Sequence, residues 1–340
     1  MTRLEQDAAP FRGDPRSRER SFRQEQIASA PTANFGRLDR VTALPTYDDV
    51  VAAAGRIRLY VRRTPVFATE VDGKPVVFKL EHLQRTGSFK LRGATNALVS
   101  RPLPERVVTA SGGNHGLAVA TAAASVGVPV TVHMPDFVPP QKAERMAAAG
   151  AKLVRHAEMA DVLAAALEEG SEPGVRYVHP YDDPDVIAGQ GTVTAEIVAD
   201  APDVDTIVVA VGGGGLASGV VLAAEGRHVV AAEPEGCCCF NAALQAGEPV
   251  DAPVESIAAS GLGANRIGTI AFQLLTDAKA QSLLVSEDQI VAARDRLWEE
   301  FRLAVEPAAA VAFAALLTGE VPGERPCVIL CGANTVWTPG

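Results

Sequence analysis

One lysine of this chain stands among apolar neighbours, where an amine can be used for chemistry. In the stretch TGSFKLRGATNAL, residues 86–98, Lys90 lies between Phe89 and Leu91, and the whole chain has only six lysines. An ammonium is costly to bury, so such a lysine either keeps its charged end in water or acts as a reactive group. Burial would lower its pKa and leave a nucleophilic amine. This stretch alone leaves both interpretations open.

A run of four glycines offers a site for an anion. In VVAVGGGGLASGV, a strand-like segment is followed by Gly212–Gly215, and Leu216 then begins a helical pattern. Glycine lets backbone amides approach a phosphate at a helix N-terminus, where the helix dipole also favours negative charge. The turn is neither GxGxxG nor the GxxxxGK loop of nucleotide-binding proteins, so it gives poor support to NAD or ATP. A tight turn with close helix packing is the alternative.

Two further turns carry polar side chains. TASGGNHGLA places Ser111, Asn114 and His115 where a strand passes into a helix, and CGAN places Cys331 at the end of a buried strand. Hydroxyl, amide and imidazole groups in such a turn bind a carboxylate or a ring oxygen, or they cap the helix. A buried thiol by itself is a small apolar side chain. A reactive lysine, a phosphate turn and a carboxylate-binding turn are together what a pyridoxal phosphate enzyme requires.

The elements that must position these residues alternate along the chain. Short β-branched runs such as VPVTVHMP and TIVVAV are separated by segments with helical spacing, such as PPQKAERMAAAGA. This alternation is typical of mostly parallel sheets flanked by helices, so the predicted fold class is α/β. Two glycine-rich turns between strand and helix indicate two domains, each with its own sheet, that face one crevice.

Composition disfavours several classes of protein. The chain has 340 residues and a formal net charge of −10; residues 1–40, with eight arginines and six acidic residues, are predicted to be a flexible extension, which leaves −12 on the rest. This charge disfavours a nucleic-acid partner. The chain has no signal-like or membrane-spanning run. The adjacent Cys237–Cys239 suit neither a disulfide framework nor a CxxC metal site, so a reduced, cytoplasmic protein is expected.

The motifs occur in the order of a known family. KLEHLQRTGSFKLRGA, TASGGNHGLA, YDDPDVIAGQGT, VGGGGL, AAEPEG, VEPAAA and CGAN make the chain resemble, from Tyr47 to Asn334, the pyridoxal phosphate enzymes of the threonine/serine dehydratase group. These are fold type II, tryptophan synthase β-like enzymes related to serine racemase. The resemblance implies a large domain of residues 41–98 and 178–340, a small substrate-binding domain of residues 99–177, the cofactor in the crevice between them, and a homodimer.

The resemblance also implies roles for individual residues. Lys90 would hold the cofactor covalently and, once released, remove the α-proton of the substrate. Cys331 would face the pyridine nitrogen as a neutral group, which favours loss of a β-substituent over transamination. The full set implied for the cofactor is Phe89, Lys90, Asn114, Gly212, Gly213, Gly214, Gly215, Leu216 and Cys331, and the set implied for the substrate is Ser111, Gly112, Asn114 and His115.

Two departures from the family pattern refine this prediction. Serine racemases of the family carry a serine that can act on the face opposite the lysine, where this chain has Gly112. Relatives with a divalent cation near the phosphate turn place an Asp where this chain has Cys239, after Glu233 and the backbone carbonyl of Cys237. A thiol is a poor ligand for magnesium, so a monovalent cation, or none, is expected here.

The predicted activity is loss of water from a 3-hydroxy amino acid, L-threonine or L-serine, to give a 2-oxo acid and ammonia. The alternatives are a serine racemase, a dehydratase of a bulkier 3-hydroxy amino acid, and a β-replacement synthase of the cysteine synthase kind, which usually has a TSGNTG-type turn. A binding protein that has kept the fold is a further alternative. Arg266, in SIAASGLGANRIG, could face solvent or reach the substrate side chain.

Overall fold

The structure is a computed structural model, and it describes residues 43–335. Strands and helices alternate along this part of the chain. The strands are β1 (Val66–Val71), β2 (Lys74–Lys79), β3 (Arg106–Ala110), β4 (Val130–Pro135), β5 (Lys152–His156), β6 (Val175–Tyr177), β7 (Thr206–Ala210), β8 (His228–Pro234), β9 (Gln281–Val285) and β10 (Pro326–Ile329).

The helices lie between and beside these strands. They are α1 (Tyr47–Ile57), α2 (Lys90–Val99), α3 (Asn114–Val126), α4 (Pro140–Ala148), α5 (Met159–Gly170), α6 (Pro184–Asp200), α7 (Gly215–Ala223), α8 (Cys239–Ala246), α9 (Ala259–Leu262), α10 (Thr269–Asp277), α11 (Glu287–Phe301) and α12 (Pro307–Leu317). A short 3-10 helix, Glu81–Leu83, follows β2. The start of α1 is fixed by a capping box, in which Thr46 accepts from the amide of Asp49 and the Asp49 side chain accepts in return.

The strands form two sheets. The larger has the order β1-β2-β10-β7-β8-β9 and is parallel except for the β1–β2 pair, and the smaller has the order β5-β4-β3-β6 and is parallel throughout. The predicted α/β class is therefore confirmed. The smaller sheet comes wholly from residues 106–177, while the division into a large and a small domain stays a prediction. The predicted extension of residues 1–40 lies outside the described residues.

Burial explains why the central strands are almost entirely apolar. All residues of β7 and β10 are buried, because helices cover both faces of a parallel sheet. One of these helices, α12, is buried from Ala308 to Ala315 and packs against β7, β8, β9 and β10. Within residues 43–335, no helix is both long and apolar enough to span a bilayer.

A buried group of four charged residues joins β2, the 3-10 helix, α2 and α6. This ion cluster consists of Lys79, Glu81, Arg92 and Glu196. Arg92 donates to both oxygens of Glu81, at 2.7 and 2.8 Å, and to both oxygens of Glu196, at 2.7 and 2.8 Å. Lys79 Nζ donates to Glu196 Oε2 at 2.6 Å. Two cations and two anions leave the cluster neutral, which is the condition under which charges are tolerated in a core.

Candidate active site

Lys90 is the first residue of α2 and is half-buried. Its Nζ donates to the carbonyl oxygen of Pro180 at 2.7 Å and lies 5.2 Å from the centre of the Phe89 ring. Among the described residues, no carboxylate lies within ion-pair distance of this ammonium. Burial lowers the pKa of Lys90 to about 8, against a smaller opposing influence of Cys331. Near neutral pH a useful fraction of the side chain is therefore the free, nucleophilic amine.

The four glycines form a turn between β7 and α7. Gly214 has a φ of +90°, a conformation that favours glycine. A Cβ at Gly213 would lie 2.3 Å from the ring of Tyr181, so a larger residue does not fit there. In residues 43–335, the amides of Gly213, Gly214, Gly215 and Leu216 have no hydrogen-bond acceptor. Four free amides at a helix N-terminus suit a phosphate group.

The short helix α9 brings the two glycine-rich turns together. A Cβ placed on Gly212 would lie 3.0 Å from Cα of Leu262, and one placed on Gly113 would lie 3.5 Å from the carbonyl oxygen of Ser260. Both turns therefore approach the same four-residue helix, although about a hundred residues separate them in the sequence. Packing against α9 therefore brings the two turns close together.

The turn before α3 offers a mixture of backbone and side-chain donors. Ser111 Oγ accepts from the amide of Gly113 at 3.2 Å, so its own hydroxyl hydrogen remains free to donate. The amides of Asn114 and His115 have no acceptor in the described part of the chain, as expected for a first helical turn. These donors can hold a carboxylate.

His115 cannot help to hold that carboxylate through its side chain. The ring is buried, and Nε2 lies 3.0 Å from the carbonyl oxygen of Val178, which can only accept, so Nε2 carries the hydrogen. Burial, and then the charge of Lys90, lower the pKa of His115 to about 3, so the ring is neutral. Its Nδ1 is buried without a partner in the described structure. His115 therefore offers its backbone amide as a donor and its ring Nδ1 as a buried acceptor without a partner.

Gly112 is glycine because another side chain occupies the space beside it. A Cβ on Gly112 would lie 2.1 Å from Cγ2 of Val138, which is far inside van der Waals contact. Val138 is buried and lies just before α4. A serine at position 112 would therefore require Val138 to move or to be smaller.

Asn114 is held by two residues from the distant end of the chain. Its Nδ2 donates to Glu306 Oε1 at 2.7 Å, and its Oδ1 accepts from Asn334 Nδ2 at 2.8 Å. Glu306 Oε2 accepts from the amide of Asn334 at 3.1 Å, and burial raises the pKa of Glu306. One Nδ2 hydrogen of Asn114 remains for a ligand. Sequence reasoning gave Glu306 and Asn334 no role, although both belong to the motifs VEPAAA and CGAN.

Cys331, after the end of β10, binds the segment that immediately precedes Lys90. Its carbonyl oxygen accepts from the amide of Phe89 at 3.1 Å, and Ser88 forms a β-bridge with Gly332. The thiol is buried, and burial raises its pKa, so it is protonated and neutral. The thiol near Lys90 is therefore neutral, and its place opposite a pyridine nitrogen stays a prediction.

His179 was not predicted, and it lies beside the lysine's acceptor. Its Nδ1 accepts from the amides of Tyr181 at 3.2 Å and Asp182 at 2.8 Å, so the hydrogen is on Nε2. Burial and the charge of Lys90 lower the pKa of His179 to about 4. The ring is thus a neutral donor in a fixed tautomer. The motif YDDPDVIAGQGT begins two residues later, so a histidine close to this motif was the available signal.

The predicted cation site gains no support from the contacts of its residues. Both carboxylate oxygens of Glu233 accept amide hydrogens at the start of α8, from Phe240 at 2.8 Å and Asn241 at 2.9 Å. Cys239 Sγ donates to the carbonyl oxygen of Gly212 at 3.2 Å, while Cys237 is buried. Among residues 43–335 no group of three or more His, Cys, Asp or Glu side chains could hold a metal ion. A monovalent cation at this place stays a prediction.

The guanidinium of Arg266 binds groups outside these turns, although the next residue, Ile267, packs against Gly214. Its guanidinium donates to Asp251 at 3.1 Å and to the carbonyl oxygen of Pro249 at 2.6 Å, and 41% of its side chain is exposed. Its own carbonyl oxygen accepts from the hydroxyl of Tyr181 at 3.4 Å. The interpretation in which the guanidinium faces solvent is therefore correct.

These residues fit pyridoxal phosphate. The free amides at the start of α7 suit its phosphate, the amine of Lys90 with its lowered pKa suits covalent attachment, and the neutral Cys331 suits an unprotonated ring nitrogen. The spare Nδ2 hydrogen of Asn114 suits the ring hydroxyl.

Comparison with known proteins gives the same cofactor. The family described as "Pyridoxal-phosphate dependent enzyme" matches residues 57–332. The L-threonine ammonia-lyase of Geobacter sulfurreducens is 40% identical over 85% of this chain and 75% of its own length. The L-threo-3-hydroxyaspartate ammonia-lyase of Saccharomyces cerevisiae is 35% identical over 86% of this chain and 94% of its own length. The solved structure of maize serine racemase superposes with a TM-score of 0.81 at 32% identity, over 86% of this chain and 94% of that one. The chain therefore belongs to the family of pyridoxal-phosphate dependent enzymes.

Proposed function

We propose that the protein is an ammonia-lyase that removes water from a 3-hydroxy amino acid, L-threonine or L-serine, and releases a 2-oxo acid and ammonia. The name of the 40% identical relative from Geobacter sulfurreducens, an L-threonine ammonia-lyase, supports this activity. The observation that carries the proposal is Lys90: an amine of lowered pKa, without a carboxylate partner among the described residues, beside a turn of free amides.

Each residue of the site has a task in this reaction. Bound pyridoxal phosphate would supply an electron sink for the charge left when the α-proton departs. Lys90 would hold it covalently through Nζ, and the freed amine would then take the α-proton. The amides of Gly213–Leu216 would hold the phosphate. Ser111, with the amides of Asn114 and His115, would hold the α-carboxylate and so fix the α-carbon beside Nζ.

The overall reaction balances without a further reagent. The bonds from Cα to hydrogen and from Cβ to the hydroxyl break, and one water leaves. The resulting enamine becomes an imine, which takes up one water and loses ammonia. The net products are one 2-oxo acid and one ammonia for each amino acid consumed.

Gly112 supports elimination over racemisation. A racemase needs a second group on the face opposite the lysine, and glycine has no side chain to supply one. The packing of Val138 against Gly112 also excludes a side chain there without rearrangement. The rival activities are racemisation, β-replacement, and elimination from a bulkier 3-hydroxy amino acid; the yeast relative is named for one such compound, L-threo-3-hydroxyaspartate. A cytoplasmic homodimer is part of the proposal.

Product analysis tests the proposed function. Purified enzyme with pyridoxal phosphate is incubated with L-threonine and with L-serine, and 2-oxo acid, ammonia and D-amino acid are quantified, the last by chiral chromatography. We expect equal amounts of 2-oxo acid and ammonia and little D-isomer. Abundant D-serine would favour the racemase. Product that appears only when a thiol nucleophile is added would favour the β-replacement synthase.

A further inference from the structure

His179 is a half-buried histidine next to the residue that holds Lys90, and the proposed reaction gives it no task. Its ring hydrogen is on Nε2, because Nδ1 accepts the amide hydrogens of Tyr181 at 3.2 Å and Asp182 at 2.8 Å. In the described part of the chain, Nε2 has no hydrogen-bond acceptor. The buried polar atoms that lack a partner include Nδ1 of His115 but not Nε2 of His179, so Nε2 borders space that solvent reaches. The imidazole therefore offers one unused N–H donor.

Contacts on several sides hold this ring in one orientation and one protonation state. The rings of Tyr177 and Tyr181 stand edge to face against it, with centroids at 6.1 and 4.7 Å. A proton on Nδ1 would displace both amide bonds, and burial and the charge of Lys90 lower the pKa of His179 to about 4. At neutral pH the ring therefore donates a hydrogen bond as a neutral imidazole and carries no charge.

The residues that follow His179 connect it to the reactive amine and to the glycine turn. The carbonyl oxygen of Pro180 accepts from Lys90 Nζ at 2.7 Å. The ring of Tyr181 packs on the ring of His179 and also lies against the glycine turn, where a Cβ on Gly213 would be 2.3 Å from it. His179 is therefore separated from Lys90 and from the glycine turn by no more than one residue's contacts.

The residue that precedes His179 connects it to the turn before α3. The carbonyl oxygen of Val178 accepts from Nε2 of His115 at 3.0 Å. Both histidines are close enough to Lys90 for its charge to lower the pKa of their rings, after the larger effect of burial. His179 thus lies among the reactive amine, the glycine turn and the proposed carboxylate turn, which together surround the place of a bound amino acid.

The proposed function leaves one acceptor for the N–H of His179. L-Serine and L-threonine carry an α-carboxylate, an amine and a β-hydroxyl. The α-carboxylate is assigned to Ser111 and the amides that begin α3, and the amine is used in the bond with the cofactor. The phosphate, the ring hydroxyl and the ring nitrogen of the cofactor are assigned to the glycine turn, Asn114 and Cys331. The β-hydroxyl oxygen has lone pairs that accept a hydrogen bond, and it is the acceptor that remains without a donor.

We propose that Nε2–H of His179 donates a hydrogen bond to the β-hydroxyl oxygen of the substrate, which makes His179 a catalytic residue that favours a hydroxyl leaving group. The inference rests on the proposed function and deepens it. The electron pair of the Cβ–O bond goes to oxygen as the bond breaks, and a preorganised donor at that oxygen stabilises the growing negative charge. His179 keeps its own proton, and in the net reaction the departing water consists of the β-hydroxyl and the α-proton. The rival explanation is structural: the imidazole would serve only as the acceptor for the amides of Tyr181 and Asp182.

Two leaving groups and two substitutions separate these explanations. Initial rates of 2-oxo acid release by the cofactor-loaded enzyme are measured with L-serine, L-threonine and β-chloro-L-alanine, whose chloride leaves readily and accepts hydrogen bonds poorly. His179→Asn keeps an acceptor at the place of Nδ1 but has no donor at the place of Nε2. In His179→Gln, the side-chain amide nitrogen reaches the place of Nε2. His228→Asn is the control, because His228 is an exposed histidine at the start of β8.

The hydroxy substrates should be the ones affected. We expect His179→Asn to lower kcat/KM for the hydroxy amino acids by about 10- to 100-fold, and that for β-chloroalanine by less than about threefold. His179→Gln should recover part of this loss, and His228→Asn should match the wild type. Equal losses for both kinds of substrate in His179→Asn, or no loss with either, would overturn the inference while the proposed function stands. A wild type that releases 2-oxo acid from neither hydroxy amino acid would overturn the proposed function itself.

A binding measurement tests the same contact without turnover. 3-Hydroxypropionate and propionate share a carboxylate and differ by the β-hydroxyl, and neither has an amine that can react. In calorimetric titration of the cofactor-loaded enzyme, we expect 3-hydroxypropionate to bind the wild type at least about fivefold more tightly than propionate, and His179→Asn to remove that difference. Equal affinities in the wild type would contradict the inference.

Discussion

Two buried or half-buried lysines, eleven residues apart, differ in whether a carboxylate contacts the ammonium. Lys79 belongs to the ion cluster and is fully buried. Its Nζ donates to Glu196 Oε2 at 2.6 Å and to the carbonyl oxygen of Thr64 at 2.7 Å. Lys90 Nζ donates to the carbonyl oxygen of Pro180, and no carboxylate of the described residues lies within ion-pair distance of it. Burial alone therefore does not make the amine of a lysine reactive. A lysine becomes reactive when burial is combined with the absence of a counter-charge.

Replacing Lys90 should have the largest effect. In Lys90→Ala we expect 2-oxo acid release to fall by about 10³-fold or more, because both the point of attachment and the base are lost. Borohydride reduction of the wild type followed by peptide mapping should place the pyridoxyl group on Lys90. Label on Lys79 or Lys142 would contradict the assignment of Lys90 as the reactive amine.

Breaking the ion cluster should affect stability. Arg92→Met removes the main partner of the buried Glu81 and leaves the half-buried Glu196 with Lys79 alone, and we expect a loss of about 3–5 kcal/mol in the free energy of unfolding. The matched control is Arg63→Met. Its ion pair with Asp200 is largely exposed, and its loss should cost about 1 kcal/mol or less. Urea denaturation measures both, and similar losses in the two variants would refute the structural role of the cluster.

A carboxylate introduced beside Lys90 should make its surroundings resemble those of Lys79. We expect Cys331→Asp to raise the pKa of Lys90 above its value of about 8, because a nearby negative charge favours the ammonium. The pH midpoint for combination of the cofactor-free enzyme with added pyridoxal phosphate should rise accordingly. An ionised partner for the ring nitrogen should also increase side transamination relative to elimination. An unchanged midpoint and an unchanged product ratio would show that Cys331 only fills space.

The smallest expected effect is a change in product stereochemistry when a hydroxyl is introduced at position 112, which the family resemblance places opposite Lys90. Gly112→Ser alone should mainly slow the enzyme, because its Cβ would meet Val138 at 2.1 Å. In the double variant with Val138→Ala, we expect elimination to recover and a small amount of D-serine to appear from L-serine, since a hydroxyl then stands on the second face. Val138→Ala alone is the control. Chiral chromatography that detects no D-isomer in the double variant would mean that a hydroxyl at position 112 is insufficient.

Much of the fold could be predicted because it depends on local patterns. The alternation of β-branched runs and helical segments predicted the α/β class. The position of the four glycines predicted a turn between a buried strand and a helix, and this turn is observed between β7 and α7. These features follow from the spacing of apolar residues and from the conformational freedom of glycine, both of which can be read in a few adjacent residues.

The parts that could not be predicted depend on residues far apart in the chain. The side chain of Asn114 is oriented by Glu306 and Asn334, which follow it by 192 and 220 residues. The ring of His115 was expected to hold a carboxylate, but the carbonyl oxygen of Val178 accepts its one ring N–H, a contact that no local pattern encodes. Both Lys79 and Lys90 stand among apolar neighbours in the sequence. Only the tertiary fold decides which of them receives a carboxylate.

The position of α9 has a thermodynamic consequence. Leu262 lies against the glycine turn at Gly212, and Ser260 lies against the turn before α3 at Gly113, so any shift of this short helix would displace both turns together. With the cofactor phosphate and the substrate carboxylate in these turns, as proposed, each ligand would change the affinity of the site for the other by the same factor. Cofactor affinity would then depend on substrate concentration even in a variant that performs no chemistry.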